Sequence, residues 1–587
     1  MLKRLENNKY IDQLALTARA ASSLDLSEES VVVDTAFEII KLYWHPDKLI
    51  LIVGSISASV RLVSSLIQGK DKDPVIIVLD ANASYAVPIL GGHKSGGEDI
   101  ALQIAKYLSC EPVITGNTYS QSFLALDSFG SGWGWKRSGK ASDWKQLMYD
   151  QACNLPLSYE QASGNILWKN SVAFKKSFER SDQKNLLDKT NLYIGPKSGF
   201  SCAWHPATLW IGIGCERNSS STLLERALID TLEQSGLAIE AIAGLTTIDI
   251  KSDEKGLLML SEKYNLPIRF FSANQLSKID VPNPSKIVEL SVETSSVSEA
   301  ACILAAGSRS RLIVQKKIYS SINDESGGAT ISIAESANPF APSLGEIHLV
   351  GSGPGDLSLL TADAQSALSK SLIWIGYSPY LDLLEPLRRS DQVRIEGSLT
   401  KEKDRCNQAL ELAIEGGRVA LISSGDTGIY GMAGLALELL LQKNCEDRPY
   451  FQIHPGISCV NQLAARIGAP LMNDFCTISL SDKLTAWDKI IQRLEGAAKG
   501  DFVIAIYNPR SLERDWQLEY AVNLLKEHRP PSTPVVLARQ ISRRDESIKL
   551  FSLDNIPLEE VDMLTVLIVG NHSTENIQGF ILTPRGY

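Results

Sequence analysis

Four short stretches place glycine, small hydroxyls or a carboxylate where a buried strand would hand over to a helix. "VGSGPGDLSLLT" runs from an apolar segment into Gly351-Ser352-Gly353-Pro354-Gly355-Asp356. "VALISSGDTGIYG" carries Ser424, Gly425 and Asp426, with Ile429 three residues on. "IHPGISCVNQLAARIGAPL" turns at Pro455-Gly456 into a helix-like segment opened by Ser458 and Cys459, and "DFVIAIYNPRS" ends on Tyr507-Asn508-Pro509. Strand ends on one side of an α/β sheet are where ligands sit. A dinucleotide loop, G-x-G-x-x-G, would need glycine where Asp356 stands, and a carboxylate there would face a pyrophosphate. A Walker loop would need a lysine that is absent. An acid beside a strand end suits a ligand with a positive or hydroxyl-bearing part; a tight turn that binds nothing is the alternative for any one loop.

Such loops need sheets to hold them. Strands are expected at 346–350, 371–375, 419–423 and 450–453, then at about 476–480, 502–507, 534–538 and 564–569. Helices fill the first gaps, over "SLLTADAQSALSKS" and over "CNQALELAIEGG", which stops on a glycine pair. Upstream, "KLILIVGSIS" and "PVIIVLDANA" read as buried strands, and "SGGEDIALQIAKYLSC" as an amphipathic helix with Ile100, Ile104 and Leu108 on one face. This alternation predicts a parallel α/β layer. Residues 125–190 are polar, tryptophan-rich and less periodic, and the strand–loop–helix rhythm restarts at "TLWIGIGCERNSSSTLLERALIDTLEQSGL". The clearest seam is "IAESANPFAPSLGE", with two prolines and no period. The expected organisation is an α/β multidomain chain: 1–124, a middle module 125–204, 205–332, a linker 333–345, and 346–587.

Composition narrows the function. The 587 residues allow about three or four domains. Fifty-eight Lys and Arg against 68 Asp and Glu give a net charge of −10, which argues against a general nucleic-acid binder. Nine scattered cysteines with no C-x-x-C pair predict reduced thiols and no structural zinc. The N-terminus lacks the apolar core of a signal peptide, and no apolar run reaches the roughly 18 residues that span a bilayer. A cytoplasmic protein without a membrane partner is expected.

The four stretches, together with "NDFCTISLSDKLTAW", "TPVVLAR" and "VDMLTVLIVGN" in that order, resemble the tetrapyrrole (corrin/porphyrin) methylases. Within them the likeness is to precorrin-3B C(17)-methyltransferase and its cobalt-dependent counterpart, over residues 345–587. The resemblance implies a two-lobed α/β methyltransferase, a homodimer, that binds S-adenosylmethionine in the cleft between lobes and acts on a tetrapyrrole. It implies that Pro354 contacts the cofactor, that Ser424, Gly425, Asp426 and Ile429 line its methionine end, and that Ser458, Cys459 and Asn508 complete the site. Cys459 fits a position where the family has a small residue; on its own it reads equally as a packing thiol. "LARQISRRDE" has Ile541-Ser542 where the family's glycine stands, so no contact is assigned there.

Methyl transfer from a sulfonium is an in-line displacement, so alignment supplies most of the acceleration and no triad is needed. Corrin precursors carry carboxylate arms that call for cations. Arg510, Arg514, Arg539, Arg543 and Arg544, at or just after strand ends, are the candidates, with solvated surface arginine the alternative for each. No protein-bound metal is expected; any cobalt arrives inside the substrate.

The amino-terminal half is similar to the cobalt-precorrin 5A hydrolases. The likeness rests on "DPVIIVLDANASYAVPILGGHKSGGED" and, further on, "LWIGIGCERNSSSTLLERAL", "LTTIDIKSDEKGLLMLSEKYNLPIRFF" and "VSEAACILAA". That family opens a δ-lactone and releases a two-carbon aldehyde, which calls for an acid or base. His93 is the first candidate, with Glu216, Lys251, Glu254 and Glu299 behind it. The His93 turn has an extra residue and acids where the family has Ala-Asn. A non-catalytic scaffold in this half is therefore the rival reading, and a nucleotide-dependent oxidoreductase, opposed by Asp356, is the rival of a different class.

Overall fold

The computed structural model describes residues 15–16, 32–69, 72–91, 97–108, 110–114, 123–178, 192–398, 401–511 and 514–586. The chain divides into two compact units: residues 1–129, 141–158 and 169–189 form one, and 130–140, 159–168 and 190–587 the other. The middle segment is thus shared between the units.

In the first unit, Leu49–Val53, Val75–Leu79, Tyr85–Leu90 and Glu111–Pro112 make a four-stranded sheet in that order. Val75–Leu79 is buried along its whole length, as an unbroken β-branched run should be in a central strand. The layer is mixed where a parallel one was expected, because Tyr85–Leu90 returns antiparallel to Val75–Leu79. The connection, Asp80 to Ser84, is too short for a crossover, and Asp80 closes it by accepting the Ser84 and Tyr85 amides.

The second unit opens with a sheet ordered Ile268–Phe271, Ile242–Ile248, Leu209–Cys215, Gly328–Glu335, Arg311–Ser320. Its first three strands are parallel and the last two antiparallel. Ser220 caps the helix Ser221–Gln234, whose Leu224, Leu228 and Leu232 pack on Ile211, Ile213 and Leu245. The strand Gly328–Glu335 runs three residues into the seam read as a linker, because Ile333 alternates inward with Ile331. The remaining linker is tied down by hydrogen bonds that the Phe340 amide donates to the Ala207 carbonyl and the Ala341 amide to the Ile414 carbonyl.

Two further five-stranded sheets follow. The first is wholly parallel, ordered Val393–Gly397, Ile373–Tyr377, Arg418–Ser423, Glu346–Gly351, Tyr450–His454. The second is ordered Phe475–Ser479, Val503–Tyr507, Thr565–Val569, Pro534–Arg539, Ser547–Ser552, with only its first pair parallel. Apolar clusters cover both of its faces, one built on Ile504, Ile506 and Leu567, the other on Val503, Ala505 and Val536. Each fully buried Leu or Ile contributes about 1.5–3 kcal/mol. The strands that end in the first three loops are neighbours in the parallel sheet, so its topology sets those loops side by side.

Candidate active site

Glycine lets the loops meet. A Cβ on Gly351 would lie 2.5 Å from the Gly456 nitrogen, and one on Gly456 would lie 2.0 Å from the Gly425 carbonyl oxygen. Gly353 and Gly425, with φ of +72° and +63°, exchange backbone hydrogen bonds of 3.2 and 2.8 Å that join the first loop to the second. Asp426 ties in the third: its Oδ1 accepts the Gly428 amide at 2.8 Å and its Oδ2 the Gly456 amide at 3.1 Å. Ser458 caps the helix Cys459–Ile467 by accepting the Asn461 amide, and its Cα lies 3.7 Å from where a Gly425 Cβ would stand. Pro354, Gly425, Asp426 and Ser458 therefore share one place.

Beneath them runs a polar chain whose two central histidines are buried. Glu346 Oε2 is 2.9 Å from His348 Nε2, His348 Nδ1 is 2.9 Å from His454 Nε2, and His454 Nδ1 is 2.8 Å from Asp363 Oδ2. His454 immediately precedes the third loop, and Thr361 donates to the Pro455 carbonyl at 3.0 Å. The chain fixes that loop from below.

The other lobe closes the crevice. Tyr430 donates to the Thr477 carbonyl at 2.9 Å, and its ring centre lies 5.2 Å from that of Tyr507. Tyr507 and Cys459 pack on one apolar cluster, where burial pushes both hydroxyl and thiol up. The buried Thr427 Oγ1 has no hydrogen-bond partner among the described residues. Asn508, at φ +50°, donates to Ser479 Oγ at 3.0 Å.

The five candidate arginines divide, and Arg544 is exposed. Arg543 reaches across the crevice, its Nε 3.3 Å from the Pro354 carbonyl and its Nη2 3.3 Å from Ser424 Oγ, with the guanidinium 5.7 Å from the Tyr380 ring centre. Arg510 donates to the Leu558 carbonyl and Arg539 pairs with Asp562, each at 2.8 Å. Arg514 is 4% exposed and donates to the Asn508 carbonyl at 2.8 Å, so it supports the fourth loop from inside. Asp356 turns back on its own loop: its carboxylate accepts the Ser358 amide at 2.8 Å, and that bond holds it below the usual range.

In the amino-terminal half, His93 lies outside the described residues. Glu299 is fully buried and saturated, accepting the Asn283 and Lys316 amides and the Asn283 side chain. Glu216 is exposed, whereas Lys251 and Glu254 are buried together, Nζ to Oε2 3.5 Å. Among the described residues no group of three or more His, Cys, Asp or Glu could hold a metal ion, and no helix is long and apolar enough to cross a membrane.

Sequence reading missed Tyr507, Tyr380 and the His348–His454 pair. Tyr507 was legible as the last residue of a strand ending in a candidate loop. His348 carried a weaker signal, a polar residue on the alternation of an otherwise apolar strand.

Comparison with known proteins bears on the same residues. The family Tetrapyrrole (Corrin/Porphyrin) Methylases matches residues 346–557, Cobalamin synthesis G N-terminal matches 38–118, and Cobalamin synthesis G C-terminus matches 209–334. The cobalt-factor III methyltransferase of Priestia megaterium is 42% identical over 245 residues, which is 41% of this chain and 45% of that protein, so the chain spans less than half of this relative's length. The precorrin-3B C(17)-methyltransferase of a Sinorhizobium species is 39% identical over 249 residues, 41% of this chain and 97% of the relative. The crystal structure of the methyltransferase CobJ is 36% identical, covered completely by 41% of this chain, with a TM-score of 0.39. With a relative aligned over nearly its full length and the family's loops gathered at one crevice, this chain belongs to the tetrapyrrole (corrin/porphyrin) methylase family.

Proposed function

We propose that the chain is a bifunctional enzyme of corrin biosynthesis. Its carboxy-terminal part transfers a methyl group from S-adenosylmethionine to C(17) of precorrin-3B or cobalt-factor III, with ring contraction. Its amino-terminal half opens the lactone of a later cobalt-corrinoid. The observation that carries the first activity is the meeting of three loops around Gly351, Gly425 and Gly456, clasped by Asp426. The donor set suits S-adenosylmethionine. The glycines let three strand-end loops meet backbone to backbone, and the Thr427 hydroxyl beside Asp426 is without a hydrogen-bond partner among the described residues. The residues that would hold it are Pro354, Ser424, Gly425, Asp426, Ile429, Ser458, Cys459 and Asn508. When bound, that group supplies an electrophilic methyl.

The chain's own contribution is positional. The glycine contacts and the Asp426 clasp fix the loops before the reactants arrive, so little ordering remains to oppose the displacement. Arg543, from the second lobe, is placed to meet a substrate carboxylate while holding Pro354 and Ser424, with its guanidinium against the Tyr380 ring. The Tyr507 hydroxyl, raised by burial, stays a donor at neutral pH. The test is incubation of the full chain with precorrin-3B or cobalt-factor III and methyl-labelled cofactor. One labelled methyl per macrocycle is expected by mass analysis, and an unlabelled macrocycle refutes the reading. A homodimer, the state implied by the family, is checked by light scattering.

A further inference from the structure

In the amino-terminal half, Leu209–Cys215 and Ile242–Ile248 are adjacent parallel strands, and the segments that follow their carboxyl ends meet. Such a place is where α/β sheets put chemistry. Glu254 from the second segment is 3% exposed. Its Oε1 accepts the Asn218 amide of the first segment at 2.8 Å. Its Oε2, shielded from solvent, accepts no hydrogen bond. Two cations face that oxygen without closing on it, Lys251 Nζ at 3.5 Å and Arg217 Nη1 at 3.7 Å. Lys251 is itself 9% exposed, and among the described residues its ammonium makes this ion pair and no hydrogen bond. A buried carboxylate and a buried ammonium both left short of partners are costly to keep for stability alone. Cys215 beside them is pushed up to about 11 by burial, so it stays a thiol and is not the nucleophile. The exposed Glu216, Arg217 and Asn218 form a rim, and Gly328, where a Cβ would stand 3.4 Å from the Glu216 carboxyl carbon, brings the neighbouring hairpin alongside. Glu299, saturated elsewhere, offers no competing group.

We infer that Glu254 and Lys251 are the acid–base and oxyanion-stabilising residues of lactone opening in this half, an assignment that rests on the hydrolase reading proposed above. When the exposed rim of Glu216, Arg217 and Asn218 parts to admit the substrate, Glu254 Oε2 takes a proton from water as the water oxygen bonds to the lactone carbonyl carbon. The carbonyl electron pair moves onto its oxygen, which faces the Lys251 ammonium. Collapse restores the C=O bond and breaks the bond to the ring oxygen, and Glu254 returns its proton to that leaving oxygen. One water is added, and nothing is oxidised or reduced. The exposed Arg217, shared with Asp253, keeps the rim positive toward a polycarboxylate substrate.

The experiment uses the full chain, so that methyl transfer by the other half reports whether each variant is intact. A lactone-bearing cobalt-corrinoid is incubated with wild type, Glu254→Gln and Lys251→Gln, and the ring-opened acid is followed by mass analysis. Wild type opens the lactone, and in oxygen-18 water one label enters the new carboxylate. Each variant retains methyl transfer and opens the lactone about 100-fold more slowly. A variant that opens it at the wild-type rate overturns the assignment while leaving the hydrolase reading standing. Label absent from the wild-type carboxylate overturns it without recourse to variants. A wild-type chain that methylates but leaves the lactone closed removes the hydrolase reading, and the assignment with it.

Discussion

Asp426 shows how one side chain serves both fold and site. Both carboxylate oxygens are engaged by backbone amides, Gly428 on its own loop and Gly456 on the next, and an ionised acceptor makes each such bond about twice as strong as a neutral one. Replacing it with alanine frees two amides that are near enough to solvent to find water, so the loss of stability is expected to be roughly 2 kcal/mol. The larger effect falls on binding, because the third loop loses its register against the second. Asp426→Ala is expected to weaken S-adenosylhomocysteine at least tenfold in calorimetric titration, with a modest fall in melting temperature. Unchanged affinity beside a lowered melting temperature would make Asp426 a structural clasp alone. Arg543 sets a contrast: sequence reading grouped it with Arg510, Arg514 and Arg539, and nothing in residue type separates them. What distinguishes them is the acceptor each reaches across the fold, Pro354 and Ser424 for Arg543 but Leu558, Asn508 and Asp562 for the others.

Among elements, the decisive contact is between loops that are 74 and 31 residues apart in sequence yet close because their strands hold three consecutive places in one parallel sheet, with Glu346–Gly351 between the other two. Gly456→Ala tests this. Its Cβ would stand 2.0 Å from the Gly425 oxygen and 2.7 Å from Gly351 carbon, all main-chain atoms that cannot rotate away. Relief requires the loops to part, at a cost of about 1–3 kcal/mol or more. S-adenosylhomocysteine binding is expected to vanish while the protein still melts cooperatively; wild-type affinity in the variant would show that the loops need not touch. The strands around this contact were legible because buried parallel strands write nearly continuous apolar runs such as "VALIS" and "IWIGY"; Leu49–Val53, "LILIV", read as buried, is instead a partly exposed edge strand of the first unit. Val393–Gly397, "VRIEG", and Ser547–Ser552, "SIKLFS", were not, since edge strands pair on one side and tolerate charge. The antiparallel return of Tyr85–Leu90 was also hidden, because a strand's direction is set by the length of its connection and not by its own residues.

At the scale of the molecule, the seam between the halves is a fixed joint within the second unit and not a tether. Gly134 and Gly416 approach so closely that a Cβ on the first would lie 2.6 Å from the Cα of the second. Arg269 pairs with Asp447 at 3.2 Å while its guanidinium lies 4.4 Å from the Trp210 ring and 4.3 Å from the Phe340 ring. Glu415 stands at this joint, accepting from Asn165 Nδ2 at 2.8 Å, and burial pushes its carboxyl up to about 7. No sequence pattern announced this, because Glu415 becomes unusual only when the 159–168 segment covers it. The consequence for stability has a definite sign. Below the ordinary glutamate range the carboxyl is protonated in both folded and unfolded chains and contributes nothing. As pH rises from about 4.5 to 7 the unfolded chain releases the proton while the folded one retains it, so stability falls through that window and levels off above it. Allowing for partial exposure, the loss is roughly 2 kcal/mol. Glu415→Gln keeps the volume and an acceptor for Asn165 but carries no proton to lose. Between pH 5 and pH 8 the calorimetric transition of this unit is therefore expected to drop in the wild type and to drop less, by several degrees, in the variant. Parallel pH curves for the two proteins would mean that the joint does not hold Glu415 away from water.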